Sequence, residues 1–300
     1  MNKKKLLSGP YLLWSVAFIL IPLAMILFYG FTNSEGQFTF ENVLAIGTAE
    51  NFKALCLSLI LSIISTIICL VLAYPLAMML SNMKVNQTGL IVLLFILPMW
   101  MNFLLRTIAW QTLLEKNGVI NQILGFFHIP PLQLINTPAA IVLGMVYNFL
   151  LFMVLPLYNA LCKIDKDVIF AARDLGATSF YTFRKIIFPL SLPGVISGIT
   201  MVFVPALTTF VISDLLGGSK ILLIGNVIDR QFQQGSNWHV GSGLSLVLMI
   251  FILISMILTG KYDKTDREVS FNEKDCTKYL SWAHSFLYVC PHCNFDCTFF

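Results

Sequence analysis

Long apolar runs alternate with short polar stretches along this chain. A helix needs about 20 mostly apolar residues to cross a membrane, and six stretches meet that length: 11–31, 55–80, 89–110, 139–161, 195–213 and 240–259. The pattern predicts an all-α integral membrane protein with six transmembrane helices. Five of these stretches carry a proline, at Pro22, Pro75, Pro98, Pro156 and Pro205. Proline removes a ladder hydrogen bond and bends a helix, although membrane helices also tolerate it without further purpose. The prolines therefore mark either ordinary tolerance or bends that shape a pathway. Gly194 and Gly198 make a G-x-x-x-G that permits close helix contact. Ser58, Ser62, Ser65 and Thr66 form a polar stripe on the second span, suited to helix packing.

One long charged stretch, DKDVIFAARDLGATSFYTFRKIIFPLSLPG at 165–194, interrupts the apolar runs. Asp165 or Asp167 can cap a helix over 168–175, built mostly of good helix formers. Gly176 suits the left-handed position that ends a helix. Thr178 or Ser179 can start a second helix through Phe183, Ile186 and Ile187, which Pro189 and Pro193 are expected to end or bend. The result is a helix–turn–helix. Ala171, Ala172 and Gly176 give it a small-residue surface that a cleft in another protein can approach.

Composition agrees with the pattern. Charged residues are 11% of the chain and mean hydropathy is +0.82, against about 25% charged in soluble domains. Cytoplasmic loops retain Lys and Arg. With the N-terminus inside, twelve basic residues fall in inner segments, among them Lys3, Lys4, Lys5, Lys84, Lys163 and Arg267. Four fall outside: Lys53, Lys116, Lys220 and Arg230. Both ends and the 165–194 loop are thus expected in the cytoplasm. The first apolar run is too long for a signal core and no A-x-A site follows it, so it reads as a retained anchor. The outer loops, 32–51, 111–137 with an amphipathic helix at 119–127, and 215–239, are long enough to fold over a pathway mouth.

No phosphate loop, H-E-x-x-H or nucleophile elbow is present, so the chain itself is expected neither to bind nor to hydrolyse ATP and to be no enzyme. Basic residues are not interleaved with aromatics in a way that suits nucleic acid. Of seven cysteines, Cys56 and Cys69 sit in an apolar span as small core residues. Cys290, Cys293, Cys297 and His292 could form a metal set only in a cramped loop, and no metal site is expected. No disulfide framework is spelled out.

The residues Ala171-Ala172, Gly176-Ala177, Phe183, Ile186, Pro189 and Pro193-Gly194 resemble the cytoplasmic EAA loop of ABC-importer permeases. The flanks LPMWMNFLLRTIAW, MVLPLYNAL and ISDLLGGSKILLIGNVI are similar to the polyamine branch of that family. The resemblance covers roughly residues 5–268. Phe170 stands where the motif has its leading glutamate, which puts one polar contact or cap in doubt. From Asp275 the chain departs from the family. KYLSWAHSFLY resembles the beginning of a sister permease, as a frameshift or read-through junction would produce, so 269–300 is expected to be an atypical, partly disordered tail.

The resemblance implies a type I ABC importer permease fold in a bacterial inner membrane. It implies a second permease subunit, two ATPase subunits carrying ATP and Mg, and a substrate-binding protein. Ala171, Ala172, Asp174, Gly176, Ala177 and Phe183 would couple to the ATPase, with Arg173 and Arg184 pairing with its acids. The implied cargo is spermidine or putrescine, whose ammonium groups need carboxylates or aromatic faces. Candidates for the pathway are Trp100, Asn102, Tyr147, Asn148 and Asp214; each has a plainer reading as packing or, for Asp214, as a helix cap. Arg106 would repel a polycation unless paired, for example with Glu115. Rival readings are a permease for ferric iron, sulfate or a phosphonate, and a channel or membrane enzyme.

Overall fold

The computed structural model describes residues 13–82, 97, 100–218, 221–233 and 237–267. Four helices are long and apolar enough throughout to cross a membrane: α1 (Leu13–Gly30), α3 (Ala49–Asn82), α6 (Pro138–Cys162) and α8 (Ser179–Thr208). A fifth, α11 (Trp238–Arg267), qualifies over Trp238–Ile257. Shorter helices lie between them: α2 (Glu41–Leu44), α4 (Phe103–Leu114), α5 (Val119–Phe126), α7 (Lys166–Asp174), α9 (Val211–Gly217) and α10 (Ile224–Gln233). Among the described residues one isolated β-bridge, Thr32 to Phe38, is the sole extended pairing. The tail at 269–300, the N-terminal lysines, Lys84 and Lys220 lie outside the described residues, as does most of the first half of the expected third span.

The core is a three-helix seam of α3, α6 and α8. It works because the chain supplies small side chains where backbones meet. A Cβ on Gly194 would stand 2.8 Å from the Pro156 carbonyl oxygen, and one on Gly198 would stand 2.6 Å from Met153 Sδ. The G-x-x-x-G is therefore the contact face of α8 on α6. The serine stripe of α3 is buried in the same way. Ser58 Oγ donates to the Ala54 carbonyl at 2.9 Å and accepts the Ile224 N–H at 2.8 Å, which ties α10 to α3. Ser65 Oγ lies 3.3 Å from Met145 Sδ. On the far side of α3, Ile60, Ile63, Ile67 and Val71 are exposed, the surface a lipid-facing helix needs.

α1 stands apart from that seam and packs on α11. Asn42 holds its end, donating to the Thr32 carbonyl at 2.9 Å, and His239 Nδ1 lies 3.1 Å from the Tyr29 carbonyl.

Two expectations are corrected and one open alternative is decided. Of ending or bending the helix that starts near 179, Pro189 and Pro193 do not end it; α8 runs through both. A π turn at Phe183–Ile187, closed by the Phe188 N–H on the Phe183 carbonyl, widens the ladder where the Pro189 ring would clash. The fifth span does not reach Ser213. Thr209 is extended (ψ 136), and the Phe210 carbonyl accepts from Asn226 Nδ2 at 3.0 Å, so α9 starts as a separate helix. The third span is not one helix to Trp110. The chain leaves helical geometry at Asn102 (ψ 129) and resumes as α4, ending at Leu114.

Candidate functional site

The turn between α7 and α8 is built from three local devices. Asp165 has extended backbone, and its carboxylate accepts the Asp167 N–H at 3.0 Å, capping α7. Asp167 sits in the first turn, where the helix dipole favours an acid. At the other end, the Ala177 N–H donates to the Ala172 carbonyl at 3.0 Å and the Gly176 N–H to the Arg173 carbonyl at 2.9 Å. With Gly176 at φ 83, this is a Schellman motif. Thr178 Oγ1 then accepts the Tyr181 N–H at 3.3 Å and starts α8. The sequence left two choices for each cap; Asp165 and Thr178 make them.

This turn is shaped yet uncovered. α7 buries no residue, and Leu175 is 89% exposed and Phe170 54% exposed. Isolated helices of this length are marginal in water, so the caps and the tethers to α6 and α8 keep its geometry. Ala171, Arg173, Asp174, Gly176 and Arg184 are exposed, while Ala172 and Ala177 are half-buried. Nothing lies within 4 Å of a Cβ built on Gly176; the residue serves a backbone conformation, not a close approach. Phe170 sits inside α7 and Asp165 supplies the cap, so the missing glutamate leaves no helix end unsatisfied.

Phe183 is placed differently from its neighbours. It is half-buried, with its ring edge-on to Tyr74 of α3 (centroids 5.5 Å apart, planes at 87°). Tyr74 also meets the Phe188 ring at 6.2 Å. The Tyr74 hydroxyl is 2.7 Å from Ser191 Oγ. Ser191 donates its own proton to the Phe188 carbonyl at 3.0 Å, so Tyr74 is the donor. Tyr74 and Ser191 were missed in the sequence. Their signal was faint: an aromatic with a polar tip beside Pro75, and a serine between two prolines.

The pathway candidates have different surroundings. Trp100 is 72% exposed. Asn102 caps α4, its side chain accepting the Leu104 N–H at 2.8 Å. Tyr147 packs edge-on against Trp110 (5.3 Å, 69°). Asn148 is buried and donates to the Gly144 carbonyl at 2.9 Å, while its Oδ1 has no partner. Asp214 is exposed on α9, and no side chain caps that helix. Arg106 Nε is buried without a partner, and Glu115 is exposed. A groove of about 380 Å³ between α8, α10 and α11 was not anticipated. Its lining includes Thr208, Phe210, Asp229, Phe232 and Ser245. Asp229 accepts from Gln233 Nε2 at 2.6 Å; it was masked in the sequence by a strongly amphipathic helix.

Comparison with known proteins bears on this arrangement. PotB, the spermidine/putrescine transport system permease protein of Haemophilus influenzae, is 37% identical over 259 residues, covering 84% of this chain and 91% of the relative. PotB of Escherichia coli K12 is 37% identical over 253 residues, covering 82% and 92%. A chain from the crystal structure of a bacterial ABC transporter involved in the import of the acidic polysaccharide alginate superposes with a TM-score of 0.73 at 16% identity, covering 85% of this chain and 93% of that one. That likeness concerns the fold alone. Residues 2–270 match the family described as binding-protein-dependent transport system inner membrane component. With apolar spanning helices, a seam of small residues and this relationship over nearly all of its helical part, the chain belongs to the inner membrane components of binding-protein-dependent transport systems.

Proposed function

We propose that the chain is a permease subunit of an ATP-driven importer of polyamines, spermidine or putrescine. The observation that carries the coupling role is the exposed, capped turn at Gly176 joined to a helix that continues unbroken into the seam. α8 runs from Ser179 to Thr208, so a push on the turn reaches the middle of the bilayer without crossing a flexible joint. Tyr74 ties the same root to α3. Docking of an ATPase on Ala171, Ala172, Arg173, Asp174, Gly176, Ala177 and Arg184 would tilt α6 and α8, which the turn links, as rigid elements in alternating access. Phe183 acts inside the joint and not on the docking face.

The substrate class rests on the relatives named PotB. A PotC-like second permease, two PotA-like ATPase subunits holding ATP and Mg, and a PotD-like binding protein complete the assembly. Both termini and the Gly176 turn lie in the cytoplasm, following the basic residues. Trp100, Asn102, Tyr147, Asn148 and Asp214 remain the pathway candidates, and Asp229 with Phe210 and Phe232 adds a carboxylate and two rings suited to an ammonium group.

The test is purification with the ATPase and binding protein, reconstitution, and a scan of solutes for stimulated ATP hydrolysis. Spermidine or putrescine should stimulate it and ferric iron, sulfate and phosphonates should not. Stimulation by one of the latter alone would overturn the substrate; absence of any bound ATPase would overturn the role.

A further inference from the structure

The helix α5 turns its apolar side outward. Val119, Ile123, Phe126 and Phe127 are exposed, Phe126 by 82%. At 100° per residue these four positions fall within one arc of about 100°. The buried side of α5 carries Asn121, beside the half-buried Ile120 and Leu124, while Gln122 is exposed. Asn121 Nδ2 donates to the Glu115 carbonyl at 3.2 Å and to the Leu132 carbonyl at 3.0 Å, and its Oδ1 accepts the Leu132 N–H at 2.9 Å. One side chain thus clamps the end of α4, the helix α5 and the strand of chain that follows. The C-terminal end is closed by a Schellman pair, the Ile129 N–H on the Leu124 carbonyl and the His128 N–H on the Gly125 carbonyl, both 3.0 Å. The outward apolar face is a fixed feature of this segment.

We infer that α5 is an interfacial helix whose Val119–Ile123–Phe126–Phe127 face lies in the lipid leaflet on the side of the membrane opposite the Gly176 turn. Three observations favour lipid. The link from α4 is a tight turn, with the Gly118 N–H on the Glu115 carbonyl at 2.8 Å, so α5 starts directly at the end of α4. Even fully extended, that link would span only about 18 Å. α4 itself exposes Leu104, Leu105 and Ile108. From Asn117 to Cys162 the chain has no Asp, Glu, Lys or Arg, so charge flanks α5 only at Glu115 and Lys116 before it, whereas a soluble partner's footprint would be rimmed by polar and charged groups on all sides. Interfacial helices carry Phe and Leu on the face they bury, as α5 presents Phe126 and Phe127. The 165–194 turn is at the opposite end because α6 connects the two. The inference rests on membrane insertion alone and not on the cargo.

The test uses the complete transporter in lipid vesicles, with all seven cysteines replaced by serine and a nitroxide attached at Ile123→Cys, Phe126→Cys or Gln122→Cys. Collision with oxygen, which concentrates in lipid, should exceed collision with a water-soluble nickel chelate at 123 and 126, and the order should reverse at 122. Nickel dominance at 123 and 126 would place the face in water and overturn the inference. Protection from both reagents would mean that protein, such as a second permease subunit, covers the face, which also overturns it. If the cysteine variants fail to assemble, a bilayer-confined diazirine on the unmodified transporter gives the same reading: labelling across 119–127 sustains the inference, and none there refutes it.

Discussion

Gly176 just before α8 and Gly194 midway along it are the same residue type, and they are there for opposite reasons. Gly194 has an ordinary helical backbone and no room: a Cβ would meet the Pro156 carbonyl oxygen at 2.8 Å. Gly176 has room on every side and an unusual backbone, φ 83. The first lets α8 approach α6; the second lets α7 stop and turn. The seam is therefore held by packing and should fail as stability, whereas the turn is held by local conformation and should fail as coupling.

The largest effect is expected from Gly194→Val. Overpacking a seam costs about 1–3 kcal/mol, read as a lower melting temperature and less folded protein extracted from membranes. Wild-type stability would mean that the seam is looser than the contacts imply. Gly176→Val should cost about 1–2 kcal/mol locally, because a left-handed backbone is unfavourable for an L side chain. Folded yield should hold while substrate-stimulated ATP hydrolysis falls; Gly176→Asn should recover much of it, since Asn visits that region more readily. If both variants lose folded protein equally, the contrast between turn and seam collapses. Asp165→Ala removes a cap worth about 1 kcal/mol and should speed amide exchange at Asp167 without touching the seam. The smallest change is expected from Tyr74→Phe. The ring contacts stay and Ser191 keeps its bond to the Phe188 carbonyl, so the loss should be near 0.5 kcal/mol. A large loss of coupling with unchanged melting would instead make that hydroxyl a working part of the joint.

Much of the molecule was legible because its signals are local. Asp165, Gly176 and Thr178 act within a few residues of themselves, so capping chemistry alone located both ends of the turn. The lengths of the apolar runs likewise located the five long helices among the described residues. The rest was settled by backbone geometry or by distant atoms. Pro189 and Pro193 read as stops or bends, because the π turn at Phe183–Ile187 that accommodates the first of them is invisible in a hydropathy pattern. Phe183 was read with the coupling residues, and nothing near it in sequence announces its contact with Tyr74, more than a hundred positions earlier. Asp214 looked like the end of a span because the Asn226 side chain that engages the Phe210 carbonyl comes from another helix.

Taken alone, the sequence determined that this chain lies in a membrane, roughly where most of its long helices run, and where a capped turn interrupts them, since hydrophobic length and backbone capping depend on neighbours along the chain. Only the tertiary structure decided which helix face meets which, that Tyr74 grips the root of α8, and that α5 shows its apolar side outward. Those outcomes depend on contacts between residues far apart in sequence, and no local pattern records them.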